Sequence, residues 1–181
     1  AKSLIADGAS RSEIAILYRS NAQSRVIEHA LFSAAIPYHV YGGQRYFQRA
    51  EVKHAIAYLQ LMDNPHNDSA FLRVVNFPTR GIGMRSIEQL QAASEQYGIS
   101  LYASVPYVAG KAGSVLAGFV KLIEGVRFET QQLSLPEMVR VVLEASTLLQ
   151  HYQNEKEGAD RIENLEQMVS AASQFVSEEG F

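Results

Sequence analysis

The residues with the clearest chemical potential lie in a short glycine-containing turn, Phe77-Pro78-Thr79-Arg80-Gly81-Ile82-Gly83, termed the hairpin below. It directly precedes an amphipathic segment, Ile87 to Tyr97, which predicts a helix. A turn in that position directs backbone N–H groups, and the positive end of the helix dipole, towards solvent. The pattern therefore favours binding of a phosphate group.

Two kinds of group in the hairpin could contact a phosphate. The Thr79 and Arg80 side chains can reach one, and Gly81 and Gly83 let the main chain approach it closely. The alternative is a tight interhelical turn that only requires positive φ. The spacing alone does not separate these two possibilities.

Three other segments carry polar groups that could bind a ligand. Tyr18 to Arg25 joins a predicted strand to a helix, and ligands of open α/β sheets bind outside the carboxyl ends of strands. Arg19 and Asn21 lie at that edge, unless Asn21 only caps the helix and Arg19 is solvated. Gly42 to Phe47 combines glycines with Arg, Tyr and Phe, as single-strand binding surfaces do, or forms a hinge whose aromatic residues pack inward. Arg161 to Leu165 could be a polar face near DNA, but a structural face with ion pairs is favoured.

The composition narrows the possible functions. The chain of 181 residues is 47% hydrophobic, enough for a buried core, and its formal net charge of −3 excludes a generally basic nucleic-acid binder. The chain has no cysteine, which excludes disulfides and cysteine-based zinc sites. No apolar run reaches the roughly 18 residues that span a membrane, so we expect a cytoplasmic protein without a membrane partner. The first residue, Ala1, falls inside a helical pattern, which predicts a piece of a larger protein.

The sequence shows no recognisable catalytic constellation. The nearest match to a phosphate loop, Gly110-Lys111-Ala112, lacks both the following Ser or Thr and the preceding strand, so an interhelical turn is predicted there. No metal-ligand spacing occurs among the histidines, which are His29, His39, His54, His66 and His151. We therefore expect this chain alone to be no enzyme and to hold no cofactor or metal.

The elements that position these residues fall into two groups. Short apolar runs from Glu13 to Tyr18 and from Tyr38 to Tyr41 predict two strands, separated by a helix from Ala22 to about Ala34. Two strands are too few for an independent sheet, so this part is predicted to be a small α/β stub. Gly42-Gly43 marks the boundary to a body that is predicted to be helical.

Helical periodicity continues through most of the body. It predicts helices at about 50–62, 69–76, 87–97, 115–133, 135–145, 148–153 and 157–176. Gly98 is expected to end the third of these, and Ser134 with Glu137 to form a capping box at the fifth. The predicted fold class is therefore mainly α: a multi-helical domain preceded by an α/β stub with two short strands.

Taken in order, several segments resemble a single protein family. They are Ile14 to Arg25, Pro37-Tyr38, Tyr41 to Gly43, Asn76 to Gly83 and Arg161 to Glu166. Their order and spacing resemble those of the UvrD/Rep/PcrA group of superfamily 1A DNA helicases over essentially the whole chain. The first run and the hairpin segment are the specific ones.

The resemblance implies a place within a larger motor. These helicases have two RecA-like domains, and the second, 2A, carries a large helical insertion termed 2B. Residues 1–42 would be the end of a first 2A segment, and residues 43–181 would be a 2B subdomain that is incomplete at its C-terminus. The sites for ATP and Mg²⁺ would then lie in the parent protein, outside this chain.

The resemblance also implies roles for individual residues. Arg19 and Asn21 match a run that contacts single-stranded DNA, and Arg45 matches a basic position on the same side. Thr79, Arg80, Gly81, Ile82 and Gly83 match the element by which 2B grips the duplex backbone. Gly42 and Gly43 form a candidate hinge.

The start of the helix after the hairpin departs from the family pattern. Relatives can place an Asp cap at the position of Met84. The helix here could therefore begin at Ser86, with a capping box to Gln89.

The implied function is that of an accessory, regulatory duplex-binding subdomain of an ATP-dependent 3′→5′ DNA helicase in repair and replication. Its partners would be the duplex backbone, the single-strand junction, the rest of the motor and, as further candidates, repair proteins. The alternatives are a module that recruits repair or transcription proteins, and the helicase portion of a nuclease-fused relative such as RecB or AddA. We expect weak DNA binding by this chain alone, because its net charge is negative.

Overall fold

The computed structural model describes residues 2–6, 8–18, 21–40, 46–156 and 158–179, with only the main chain at 21, 22, 178 and 179. Regular structure in these ranges is helical, which confirms the prediction of a mainly α fold. The α-helices are α1 Lys2–Ala6, α2 Asn21–Ser33, α3 Ala50–Asp63, α4 Asp68–Val74, α5 Met84–Tyr97, α6 Leu101–Ser104, α7 Gly110–Glu129, α8 Leu135–Ala145, α9 Leu148–Gln153 and α10 Gly158–Glu179. Short 3-10 turns occur at Arg11–Glu13, Tyr46–Gln48 and Val105–Tyr107.

The chain divides into two compact units, Ala1–Tyr41 and Gly42–Phe181. The first contains α1 and α2, and its described residues include no strand. The predicted α/β stub is therefore not supported: residues 14–18 and 36–40 run without a ladder. A strand is maintained by pairing with a neighbour, and these two short runs do not pair with each other.

The first unit also leaves apolar surface uncovered. An open pocket of about 510 Å³ is lined by residues that include Ile16, Ile27, Leu31 and Ile36. These side chains lie on one face of α2 and on the two extended runs, the surfaces that a sheet would cover. The unit taken by itself thus has only part of a core.

The second unit has a continuous core. Helix α3 packs against α4, α7 and α8, and α10 packs along α3, α8 and α9. Phe71 meets Phe119 edge to face, with ring centroids 5.3 Å apart. The largest fully buried side chains are Tyr46, Tyr58, Tyr152, Phe71, Phe119, Leu61, Leu90, Leu116, Ile123, Leu143, Leu148 and Leu165. Burial of this many large side chains stabilises the helical body.

Most predicted helix ends in this unit are close to the observed ones. Gly98 ends α5 in the left-handed conformation, with φ of 63°. At the start of α8 the Ser134 N–H donates to the Glu137 carboxylate at 2.9 Å, which confirms the capping box. The hydrogen bonds from Ser134 also hold the pKa of Glu137 below its ordinary value.

Helix α7 begins at Gly110, five residues before the predicted start at residue 115. Gly110, Lys111 and Ala112 form its first turn rather than an interhelical turn. Because glycine lowers helix propensity, the sequence around Gly110 and Gly113 does not predict the first turn of this helix. Gly113 is required by packing, because a Cβ there would collide with the Val108 carbonyl.

A buried polar cluster joins the start of α3 to α10. Arg49 Nη1 donates to Asn164 Oδ1, and Asn164 Nδ2 donates to Glu51 Oε1, each at 2.7 Å. The Tyr46 hydroxyl donates to the Asn164 main-chain oxygen at 2.7 Å. Each of these bonds joins residues more than 100 positions apart in the sequence. The side-chain amide of Asn164 is hydrogen-bonded through both its oxygen and its nitrogen.

Candidate functional site

The hairpin connects α4 to α5 and is fixed from the inside by one side chain. Asn76 Oδ1 accepts the N–H groups of Arg80 and Ile82, at 2.9 and 3.0 Å. The Ile82 side chain is 2% exposed and belongs to the core. The main chain of the turn is therefore held in one conformation before any ligand binds.

Arg80 points into the protein rather than towards solvent. Its Nη1 donates to the main-chain oxygens of Pro78 and Val74, at 2.9 and 3.3 Å, and its Nη2 donates to that of Ser146 at 3.0 Å. The guanidinium also lies 5.5 Å from the centre of the Phe119 ring. Arg80 therefore ties the hairpin to the end of α8, and its role in a duplex contact stays a prediction.

The outer face of the hairpin presents unused main-chain donors. Within the described residues, the N–H groups of Gly81, Gly83, Met84 and Arg85 donate to no protein atom. Gly81 is in the left-handed region with φ of 76°, and a Cβ at Gly81 or Gly83 would meet nothing within 4 Å. Thr79 is exposed beside them. Donors that face open space at a helix start are the elements of an anion site.

Helix α5 begins two residues earlier than the alternative start at Ser86. Its first residue is Met84 and its N-cap is Gly83, which supplies no side-chain cap. The proposed Ser86–Gln89 capping box is therefore wrong, because Ser86 already donates its N–H to the Gly83 oxygen inside the first turn. The first turn also carries no acidic residue, so its positive end is not neutralised.

Arg85 is the basic residue that the sequence reasoning missed. It lies in the first turn of α5, is exposed, and forms no hydrogen bond or ion pair with a described residue. A cation at a helix N-terminus is unfavourable on its own. Arg85 stands two residues after Gly83 in the sequence, but its place at a helix N-terminus can be recognised only when the start of the helix is known.

An aromatic cluster supports the hairpin from behind. Phe77 stacks on His54 at 3.8 Å, and His54 Nδ1 lies 3.1 Å from the Tyr152 hydroxyl. The Tyr58 hydroxyl donates to the Phe77 oxygen at 2.6 Å. Burial, followed by the charges of Arg73, His151 and Arg161, lowers the pKa of His54 to about 4. His54 is therefore neutral at pH 7 and serves as a packing group.

Several other predicted site residues lie outside the described residues. Arg19, Arg45, Gly42 and Gly43 belong to this group, so their assignments stay predictions. Asn21 is the first residue of α2, but its side chain is not among those described.

The segment from Arg161 to Leu165 is a structural face, as favoured from the sequence. Arg161 Nε lies 3.5 Å from the carboxylate of Glu155, and Asn164 is 2% exposed within its buried cluster. Arg161 also lies over the Tyr152 ring, 5.3 Å from its centre. These side chains bind other parts of the protein.

The close contact between His66 and Ser100 belongs to a helix cap. His66 Nδ1 lies 2.6 Å from Ser100 Oγ, but that oxygen also accepts the Ala103 N–H as the N-cap of α6. The described residues contain no cluster of three potential metal ligands. None of the helices among them is sufficiently long and apolar for a membrane span.

The fold and site define a class of protein: a helical module with a preformed, positively polarised turn at the start of α5. The chain matches the UvrD-like helicase C-terminal domain over residues 1–180, and it belongs to the UvrD-like helicase family.

Named relatives agree with this membership. The chain is 44% identical over 177 residues to DNA helicase II of Escherichia coli, covering 93% of this chain and 25% of the relative. It is 42% identical over 177 residues to DNA helicase II of Haemophilus influenzae, covering 93% and 24%. It is 36% identical over 171 residues to the ATP-dependent DNA helicase PcrA of Bacillus subtilis, covering 91% and 23%. The chain thus spans about a quarter of the length of these relatives.

Proposed function

We propose that this chain is the duplex-holding part of an ATP-dependent 3′→5′ DNA helicase, with residues 43–181 forming a 2B subdomain and residues 1–42 the end of a 2A segment. Family membership supports the helicase, and the relatives are named DNA helicases. The uncovered apolar face of the first unit supports its origin in a larger domain, where the runs at 14–18 and 36–40 would find strand partners.

The observation that carries the proposal is the outer face of the hairpin. Four unused N–H groups at the N-terminus of α5 and Arg85, whose side chain pairs with no described residue, lie within the five residues 81–85, and a Cβ at Gly81 or Gly83 would meet open space. Donors of this kind match phosphate oxygens, and they read no base. The hairpin would therefore hold duplex DNA by its backbone, independently of sequence.

Arg80 and Arg85 have different roles in this proposal. The inward Arg80 keeps the turn in shape, while the outward Arg85 neutralises phosphate charge. Thr79, exposed at the same edge, can add one side-chain hydrogen bond.

The segment that most resembles a phosphate loop does not fit ATP. Gly110 and Lys111 lie in the first turn of α7, and a 3-10 turn at Val105–Tyr107 precedes them where a phosphate loop requires a strand. ATP with Mg²⁺ would be bound elsewhere in the parent helicase.

The test compares Arg85→Gln with an exposed control, Arg140→Gln on α8, in the full-length helicase. Duplex affinity is measured by fluorescence anisotropy over a range of salt concentrations. Loss of one phosphate contact should reduce the salt slope by about 1 for Arg85→Gln only. Equal slopes for the two variants would refute the phosphate contact.

A further inference from the structure

A groove that shares no residue with the hairpin opens between three helix ends in the second unit. It measures about 630 Å³ and is formed by the last turns of α3 and α7 and the first turn of α8. Its apolar lining consists of Leu59, Met62, Phe128, Leu135 and Met138. Phe128 is 78% exposed and Leu135 is 39% exposed, so large apolar side chains face water here.

Hydrogen bonds fix the ends of α3 and α7 that line the groove. Arg127 Nε donates to the Met62 oxygen at 3.0 Å, which ties the end of α7 to that of α3. Thr130, 2% exposed, donates its hydroxyl to the Val126 oxygen at 2.8 Å. A groove fixed in this way needs little rearrangement to accept a partner.

The rim of the groove is electronegative. Asp63, the last residue of α3, lines the groove, and its side chain forms no ion pair or hydrogen bond with a described residue. A carboxylate at a helix C-terminus is unfavourable, because it lies at the negative end of the helix dipole. Glu124 adds a second carboxylate to the lining, and Arg127 supplies a basic group. A positively charged partner would turn these unfavourable charges into favourable ones.

We propose that this groove binds an amphipathic helix of another protein. Two apolar side chains one helical turn apart would enter beside Phe128, and Lys or Arg side chains would meet Asp63 and Glu124. The acidic rim repels nucleic acid. A second copy of this chain, with 19 acidic and 16 basic residues, offers no excess of positive charge.

The probe is a set of synthetic amphipathic peptides of about 15 residues, long enough to form a helix on binding. Each has Leu, Phe or Met on the apolar face and Lys on the polar face, and each has a twin with Glu in place of Lys. Fluorescence anisotropy measures their binding to the chain. The Lys peptides should bind saturably and the Glu twins at least tenfold more weakly.

Variants locate the binding site. Phe128→Ala should weaken binding about tenfold, and Asp63→Asn about threefold with a smaller salt dependence. The matched control is Phe175→Ala on α10, which removes another exposed phenylalanine and should change nothing. Phe128→Ala should also leave duplex binding unchanged, since the groove and hairpin share no residue.

Several results would overturn the proposal. Absence of saturable binding by every Lys peptide is one, and equal binding by the Glu twins is another. Equal affinities of the Phe128→Ala and parent chains would place binding elsewhere. A dimer in sedimentation that Phe128→Ala dissociates would identify the occupant as a second copy instead.

Discussion

Replacing Gly83 by Asp should move stability and DNA binding in opposite directions. Gly83 is the N-cap of α5 with φ of −87° and ψ of 175°, a conformation open to any residue. A Cβ there would meet no protein atom within 4 Å. The new carboxylate would accept N–H groups of the first turn, where it would take the place we assign to a phosphate.

The expected stabilisation is modest. An acidic cap in place of glycine contributes a few tenths of a kcal/mol as a cap and roughly 0.3–1 kcal/mol through the helix dipole. Their sum is about 0.5–1.5 kcal/mol, which for a domain of this size raises Tm by roughly 1–6 °C. Duplex affinity should fall at least tenfold, and the salt slope should fall by about 1–2 as phosphate contacts are lost.

Thermal melts of the chain and anisotropy of a labelled duplex with the full-length helicase measure the two effects. Gly83→Asn supplies a similar cap without charge and separates capping from repulsion. Asn67→Asp, at the N-cap of α4, adds the same charge at another helix start and should leave duplex affinity unchanged. If Gly83→Asp binds duplex within twofold of the parent, with the same salt slope, the amides do not hold a phosphate.

Three further predictions concern the residues around the hairpin and the core. Arg80→Gln should lower the free energy of unfolding by roughly 2–4 kcal/mol in urea denaturation, since three carbonyls lose a donor, whereas Arg85→Gln should stay within about 0.5 kcal/mol; similar losses in both would contradict their separate roles. Stability should fall as pH drops from 6.5 towards 4, because the unfolded chain protonates His54 near its ordinary pKa of 6.5 and the folded chain only near about 4. After discounting for solvent screening this is roughly 1–2 kcal/mol, measured by urea denaturation at both pH values, and His54→Phe should abolish it. Asn164→Ala should cost roughly 2–4 kcal/mol, because Arg49 and Glu51 each lose a buried hydrogen bond, and the exposed Glu166→Ala serves as the comparison that should change little.

The helical body could be predicted from sequence because its signals are local. Gly98, the Ser134–Glu137 capping box and the limits of α9 follow from residues within one or two turns of each helix end. The two strands could not be judged in the same way. Their apolar patterns favour extended structure, but a strand forms only with a neighbour, and pairing is a non-local property.

The direction of Arg80 was also beyond sequence reasoning. Its chemistry suits phosphate and carbonyl acceptors equally well, and its choice depends on Ser146, which is 66 residues away. Arg85 could be recognised as a candidate site residue only when the start of α5 at Met84 was known. The sequence therefore predicted a glycine turn before α5, its binding of a phosphate stays a prediction, and the orientation of each side chain required the tertiary structure.

In the proposed function, the two hydrogen bonds that the hairpin donates to Asn76 would affect motion along DNA. Because the turn is already ordered, binding a phosphate freezes few additional degrees of freedom, and release returns few. A rigid surface with a handful of backbone contacts exchanges one phosphate for the next over a low barrier. In a translocating helicase such a contact would guide the duplex and add little resistance to its movement.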